Sequence, residues 1–299
     1  MLLLVALAVG AIIPVQTAAN SRLRSSVSNR PVVSALISFT VALACSILAT
    51  VVLRGNPLPD LSGNNPWWIW LGGVFGVCFV LGNILLFPKL GAVQTVVLPI
   101  LGQVVMGLLI DQFGLFGSPL IHVSGWRILG ALVVIAGIFF VLRPGGSGAA
   151  QGPDAWLYRL IGVGVGMGSA TQTAVNGYLG TIAGSSLHAA EVNLTVGAIL
   201  LLIAAAVSSP RQLVTKPAPG PWWMWLGGMV GAIFVIAGAT LSPLLGTATT
   251  VIAFNAGTIV GGQVMESVGA FGAHRSPVTA RRVVGLVLIF AGVLAVRLL

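Results

Sequence analysis

The run Pro66-Trp67-Trp68-Ile69-Trp70-Leu71-Gly72-Gly73 returns 155 residues later as Pro221-Trp222-Trp223-Met224-Trp225-Leu226-Gly227-Gly228. Over the twelve residues that begin at each proline, eight are identical. Three tryptophans at one spacing are a poor candidate for coincidence, so the chain reads as a tandem duplication. A period of this kind constrains every later assignment. The same offset relates Pro88 to Pro243, Gly91 to Gly246, Gly102 to Gly257, Asp111 to Glu266, Arg127 to Arg282 and Gly130 to Gly285. It also relates Phe116-Gly117 to Phe271-Gly272. Near the N-terminus the offset is 156, and Gln16-Thr17-Ala18-Ala19-Asn20 returns as Gln172-Thr173-Ala174-Val175-Asn176.

The solvent of such a repeat follows from charge. Charged residues make up 6% of the chain, against about 25% in a soluble domain. Hydrophobic residues make up 57%. The chain is therefore read as an all-α membrane protein, since a helix satisfies its own backbone polar groups in lipid. Its 40 glycines suit close helix approach where lipid supplies no hydrophobic drive. Gly72…Gly76, Gly162…Gly166, Gly164…Gly168, Gly227…Gly231 and Gly257…Gly261 have the small-xxx-small spacing. Cys45 and Cys78 lie in apolar runs as small hydrophobes. The sequence offers no metal-ligand spacing and no phosphate-binding loop, so no cofactor and no enzymatic chemistry are expected. The net charge of +9 is scattered over short loops, which suits a membrane surface rather than nucleic acid.

A span needs about 20 apolar residues. Ten such runs are present: 2–20, 32–53, 67–87, 91–110, 126–142, 156–178, 187–208, 222–242, 246–265 and 281–297. This predicts a five-helix repeat over 1–143, a linker over 144–155 and a second five-helix repeat over 156–299. The loops after the odd-numbered spans hold eleven of the 14 Lys and Arg residues; the other side holds Arg54, Arg127 and Arg297. Basic residues mark the cytoplasmic side, so both termini are expected outside. The first span lacks the positive flank of a cleaved signal, and it is read as a permanent helix. Five spans per half is odd, so the halves are expected to be inverted in the membrane. Inverted repeats build many alternating-access transporters around a site near the midplane.

Polar groups inside spans are costly and are functional candidates by default. Glu191 lies about a turn into its span, with His188 at i−3 and Thr195 at i+4 on one face. The first-half equivalents of His188 and Glu191 are Val33 and Leu36. An acid beside a histidine can couple transport to protons; the bland reading is an interfacial pair reaching outward to water. Gln16 with Asn20, and Gln172 with Asn176, are i, i+4 amide pairs in equivalent helices. Such pairs can bind polar groups of a substrate or hold helix to helix. Asn83, Gln94, Gln103, Asn193 and Asn255 are further candidates of the same kind, while Gln263 reads as structural. Asp111 and Glu266 close their spans and are expected to bond locally within the turns that follow. The tryptophan triplets fit an interfacial aromatic belt.

The tandem halves, the Pro-Trp-Trp-x-Trp-Leu-Gly-Gly run, the Gly102-Gln103…Asp111-x-Phe113-Gly114 run and the Gln16…Asn20 pattern resemble the YdcZ-like family of the drug/metabolite transporter superfamily. The resemblance covers nearly the whole chain. It implies a ten-helix inner-membrane transporter with inverted repeats, an exporter in type, and it implies no substrate. Thr258 stands where Gln103 stands in the first half, which puts a lining role for the ninth span in doubt. The expected partners are a small-molecule substrate and the lipid bilayer, with the chain a monomer or homodimer. A lipid flippase and a non-transporting membrane scaffold are the other functions this sequence admits.

Overall fold

The computed structural model describes residues 1–61, 63, 65–141, 154–273, 275 and 279–298. Within its helices, the side chains of residues 83, 84, 87, 88, 91–93, 212, 297 and 298 lie outside this description. Most of the expected 144–155 linker lies outside it too. The described residues form helices and turns only. The α-helices are α1 (Leu2–Ser26), α2 (Pro31–Arg54), α3 (Leu71–Phe113), α4 (Gly125–Val141) and α5 (Ala155–Ile182). They continue with α6 (Ser186–Ser208), the short α7 (Pro210–Leu213), α8 (Leu226–Leu245), α9 (Thr247–Val268) and α10 (Ala280–Leu298). Each tryptophan triplet forms a single 3-10 turn, at Trp67–Trp70 and Trp222–Trp225, that leads into the following helix.

Helix α3 has 43 residues, about 65 Å at 1.5 Å per residue if straight. It is not straight. Trp68 at its entrance and Phe116 just past its end have ring centroids 5.4 Å apart. Gly76 faces Gln172 of α5 and Gly82 faces Val165. Then Gly102 faces the Val163–Met167 stretch and Gly117 faces Tyr178. The arm Trp67–Gly82 thus descends along α5 and the arm Gln94–Phe113 climbs back beside it. These two arms are the third and fourth spans read from the sequence. In the second half the same hairpin is two helices, because Gly246 takes φ +83° and ψ 156° between α8 and α9. The chain is an all-α membrane protein. Five of its described helices or arms cross a membrane by length and apolarity alone: α1, α2, Gln94–Phe113, α6 and Trp222–Leu245.

The halves pack by exchange. Gly72 meets Asn176 and Gly227 meets Asn20. Gly73 meets the Asn193 carbonyl, and Gly228 the Ser38 carbonyl. Gly102 meets Val163 and Met167, and Gly257 meets Leu7 and Ala11. Each of these contacts from the first half to the second has a mate running the other way, whereas Gly117 meets Tyr178 and its counterpart Gly272 meets nothing among the described residues. Helices α4 and α10 are equivalent and lie antiparallel: Gly130 faces Gly292 and Val296, while Gly137 faces Gly285 and Ile289. The largest apolar core joins them to α1, α8, α9 and the second arm of α3, through Val134, Ile138, Ile252, Phe254, Ile289 and Val293. Phe116 and Phe271 share left-handed φ values of 56° and 54°, so the repeat extends to backbone detail.

Candidate functional site

On α5, Gln172 and Asn176 lie one turn apart and share a buried face. Opposite them are Gly72 and Gly76 of the repeated motif. A Cβ at Gly72 would collide with the Asn176 carboxamide, and one at Gly76 would lie 2.9 Å from Gln172 Nε2. The motif glycines therefore make room for the amides. Asn193 of α6 completes the group: its Oδ1 accepts from Gln172 Nε2 at 3.3 Å and from Asn176 Nδ2 at 3.1 Å. In the other half Gln16 and Asn20 of α1 sit against Gly231 and Gly227 in the same way. Asn20 Oδ1, Asn176 Oδ1 and Asn193 Nδ2 are buried without a hydrogen-bond partner among the described residues. Ser38 stands where Asn193 stands, so the three-amide group belongs to the second half.

Gln103 ties three helices together. Its Nε2 donates to Ser169 Oγ of α5 at 3.0 Å, and its Oε1 accepts from Asn255 Nδ2 of α9 at 2.6 Å. Thr258, the equivalent position on α9, bonds the carbonyls of Gly10 at 3.2 Å and Phe254 at 2.8 Å. Its hydroxyl thus serves helix packing, as the departure from Gln103 suggests. Gln94 accepts from Arg159 Nε at 3.1 Å. The side chain of Asn83 lies outside those described.

Glu191 lies in the α2–α6 interface, on the side of α6 away from the amide group. The Ser185 hydroxyl caps the start of this helix by accepting from the Leu187 amide. Glu191 is 4% exposed. The Thr50 hydroxyl of α2 faces its carboxyl but donates to the Ser46 carbonyl at 2.9 Å. Among the described residues both carboxyl oxygens lack a hydrogen-bond partner, as do the buried Ser46 hydroxyl and His188 Nδ1. His188 Nε2 lies 3.0 Å from the Asn56 carbonyl. Thr195, expected on the same face as Glu191, is exposed instead. Among the described residues no hydrogen bond joins Glu191 to the amides, so the candidates fall into separate groups rather than one pocket.

Asp111 does more than bond within its own turn, which is what the sequence suggests. Its side chain is fully buried and pairs with Arg127 Nη2 at 2.8 Å. It also accepts from the backbone amides of Thr247 at 2.6 Å and Ala248 at 3.2 Å. An aspartate of the first half therefore caps α9 of the second, where the helix dipole favours an anion. Ser118 Oγ lies 3.2 Å from Thr247 Oγ1, which lies 2.9 Å from Ser242 Oγ. The repeat-related pair, Glu266 with Arg282, is 3.3 Å apart, and the glutamate is 40% exposed. The recurrence of acid and arginine at one offset was the sequence signal for this pair; nothing in the sequence marked Ser46, Thr50 or Ser169. Of the tryptophans, Trp67 and Trp222 are about three-quarters exposed, as belt residues are. Trp68 packs on Phe116 and Tyr178, and Trp223 on Phe271.

Residues 1–140 and 157–295 match the family described as "Putative inner membrane exporter, YdcZ". The chain belongs to this YdcZ family. It is a multi-pass inner-membrane protein of a transporter family. It is similar to the inner membrane protein YdcZ of Escherichia coli (strain K12), with 31% identity over 84 residues, 28% of this chain and 56% of that protein. The aligned stretch thus spans about half the length of that curated relative. A protein of known crystal structure shares the fold at a TM-score of 0.73 and 16% identity, over 99% of this chain and 96% of the other.

Proposed function

We propose that this chain exports a small molecule across the inner membrane by alternating access, with Glu191 carrying the coupling proton. The observation that carries the reading is a buried carboxyl inside a membrane helix, facing the Thr50 hydroxyl, whose oxygens have no hydrogen-bond partner among the described residues. An ionised group so placed costs several kcal/mol, and proteins keep such groups where they work. A protonated Glu191 is compatible with this conformation, and a state that admits water or a cation to the α2–α6 interface would release the proton. The amides of Gln172, Asn176 and Asn193, with Gln16 and Asn20 across the pseudo-twofold, offer free donors and acceptors for a polar substrate. The antiparallel pairing of α4 with α10 supports repeats over 1–143 and 156–299 that are inverted in the membrane. The split of basic residues supports termini on the outside.

The test starts with a screen of cationic, zwitterionic and anionic metabolites by thermal stabilisation of the purified protein, since a ligand of the folded state raises its melting temperature. The compound found is then followed in proteoliposomes under an imposed proton gradient. Glu191→Gln is expected to bind it and to transport it without gradient dependence. Unchanged gradient dependence in that variant refutes proton carriage by Glu191.

A further inference from the structure

We propose that Asp111 and Glu266 are alternating latches at opposite ends of the molecule, each closing its own end in turn. The inference rests on the alternating-access reading and names the residues that carry it. The two acids occupy equivalent positions, and each has its arginine, Arg127 or Arg282. Their surroundings differ. Asp111 is fully buried and holds the first turn of α9 through two backbone amides and the Arg127 guanidinium. The Ser118, Ser242 and Thr247 hydroxyls fasten the same corner, and Ile121 and Asp111 pack on Gly246. Glu266 is 40% exposed beside Arg282. Among the described residues the Asp111 carboxyl is enclosed and the Glu266 carboxyl stays partly open to solvent.

A pseudo-twofold molecule with unequal ends is one member of a pair of states. Exchanging the conformations of the halves makes the other. In that state α9 leaves Asp111, and Glu266 closes on the start of the second arm of α3, the element equivalent to the start of α9. The chemistry is suited to a latch that opens. A carboxylate capping backbone amides is held by charge-assisted hydrogen bonds that water can replace. Arg127 stays hydrogen-bonded to the Ile121 carbonyl at 3.1 Å within its own half, so Asp111 keeps a cation beside it when α9 departs.

The test reads accessibility and needs no substrate. Single-cysteine reporters Ser242→Cys, at the Asp111 end, and Ser267→Cys, at the Glu266 end, are placed in the Cys45→Ala/Cys78→Ala protein. Their labelling by N-ethylmaleimide is timed in native membranes. Asp111→Asn is expected to speed labelling at residue 242 by about ten-fold or more, the factor for one lost hydrogen bond to a charged group, and to slow it at residue 267. Glu266→Gln, a half-exposed change that spares the fold, is expected to do the reverse and slow labelling at residue 242. Faster labelling at both ends in Asp111→Asn would mean a structural role only and overturns the proposal. So does a residue 242 rate that ignores Glu266→Gln. If Glu191→Gln moves the two reporters in opposite directions while the latch variants do not, alternation stands and the latches fall. If no variant moves them reciprocally, both readings fall.

Discussion

Gly164 and Gly166 lie two residues apart on α5, yet alanine is expected to act oppositely at the two positions. A Cβ at Gly166 would meet the carbonyl carbon of Pro99 at 2.6 Å and its Cα at 2.7 Å, with the carbonyl oxygen closer still. All three are backbone atoms, so no side chain can swing aside. Ordinary contact begins near 3.4 Å, so α5 and the second arm of α3 must part by at least about 0.8 Å. A gap of that size forfeits a quarter to a half of the dispersion attraction along the contact. Overpacking of this kind costs about 1–3 kcal/mol. At Gly164 a Cβ has nothing within 4 Å, and alanine there gains up to about 0.5–1 kcal/mol of helix propensity. The two variants should differ by about 1.5–4 kcal/mol, with Gly166→Ala the less stable. Thermal melting of both purified proteins in one detergent measures this. Equal melting temperatures would show that α5 does not approach α3 through Gly166, and would remove the basis for the hairpin packing described above.

Two further outcomes follow from the same packing. Arg127→Gln should destabilise by about 3–5 kcal/mol by stranding a buried carboxylate, and Asp111→Asn/Arg127→Gln should recover part of that loss; denaturant titration in micelles reads both. Trp68→Ala should cost several times what Trp67→Ala costs in melting temperature, because Trp68 packs on two aromatic rings at 5.4 Å and 4.8 Å while Trp67 is 74% exposed.

Much of the fold is legible in the sequence because its determinants are local or repeated. Charge scarcity fixes the solvent, apolar length fixes the passes, and the 155-residue offset pairs the halves. The glycine spacings were less informative. Gly162…Gly166 and Gly164…Gly168 look alike in the sequence, yet Gly166 abuts backbone and Gly164 faces open space. A helix presents a different side every residue, and which side meets a neighbour is set by packing that no single segment encodes. The hairpin of α3 shows the same limit. Its two arms read as separate spans, while their opposite travel along α5 appears only when Trp68 and Phe116 are found side by side.

The candidate site was legible by residue type and not by grouping. Gln172, Asn176 and Asn193 form one cluster, whereas Glu191, two residues before Asn193, belongs to another interface. Two residues along a helix turn a side chain through about 200°, which places the Glu191 carboxyl on the α2 side and the amides on the α5 side. Coupling between them then has to pass through α6 as a body rather than through a shared hydrogen bond. That requirement fits a mechanism in which helices move as units between two closed ends. It also gives the sequence asymmetry a role. The first half keeps Val33, Leu36 and Ser38 where the second has His188, Glu191 and Asn193. In the proposed mechanism the duplication supplies two equivalent latches, and the second copy alone adds the proposed proton carrier and the third amide.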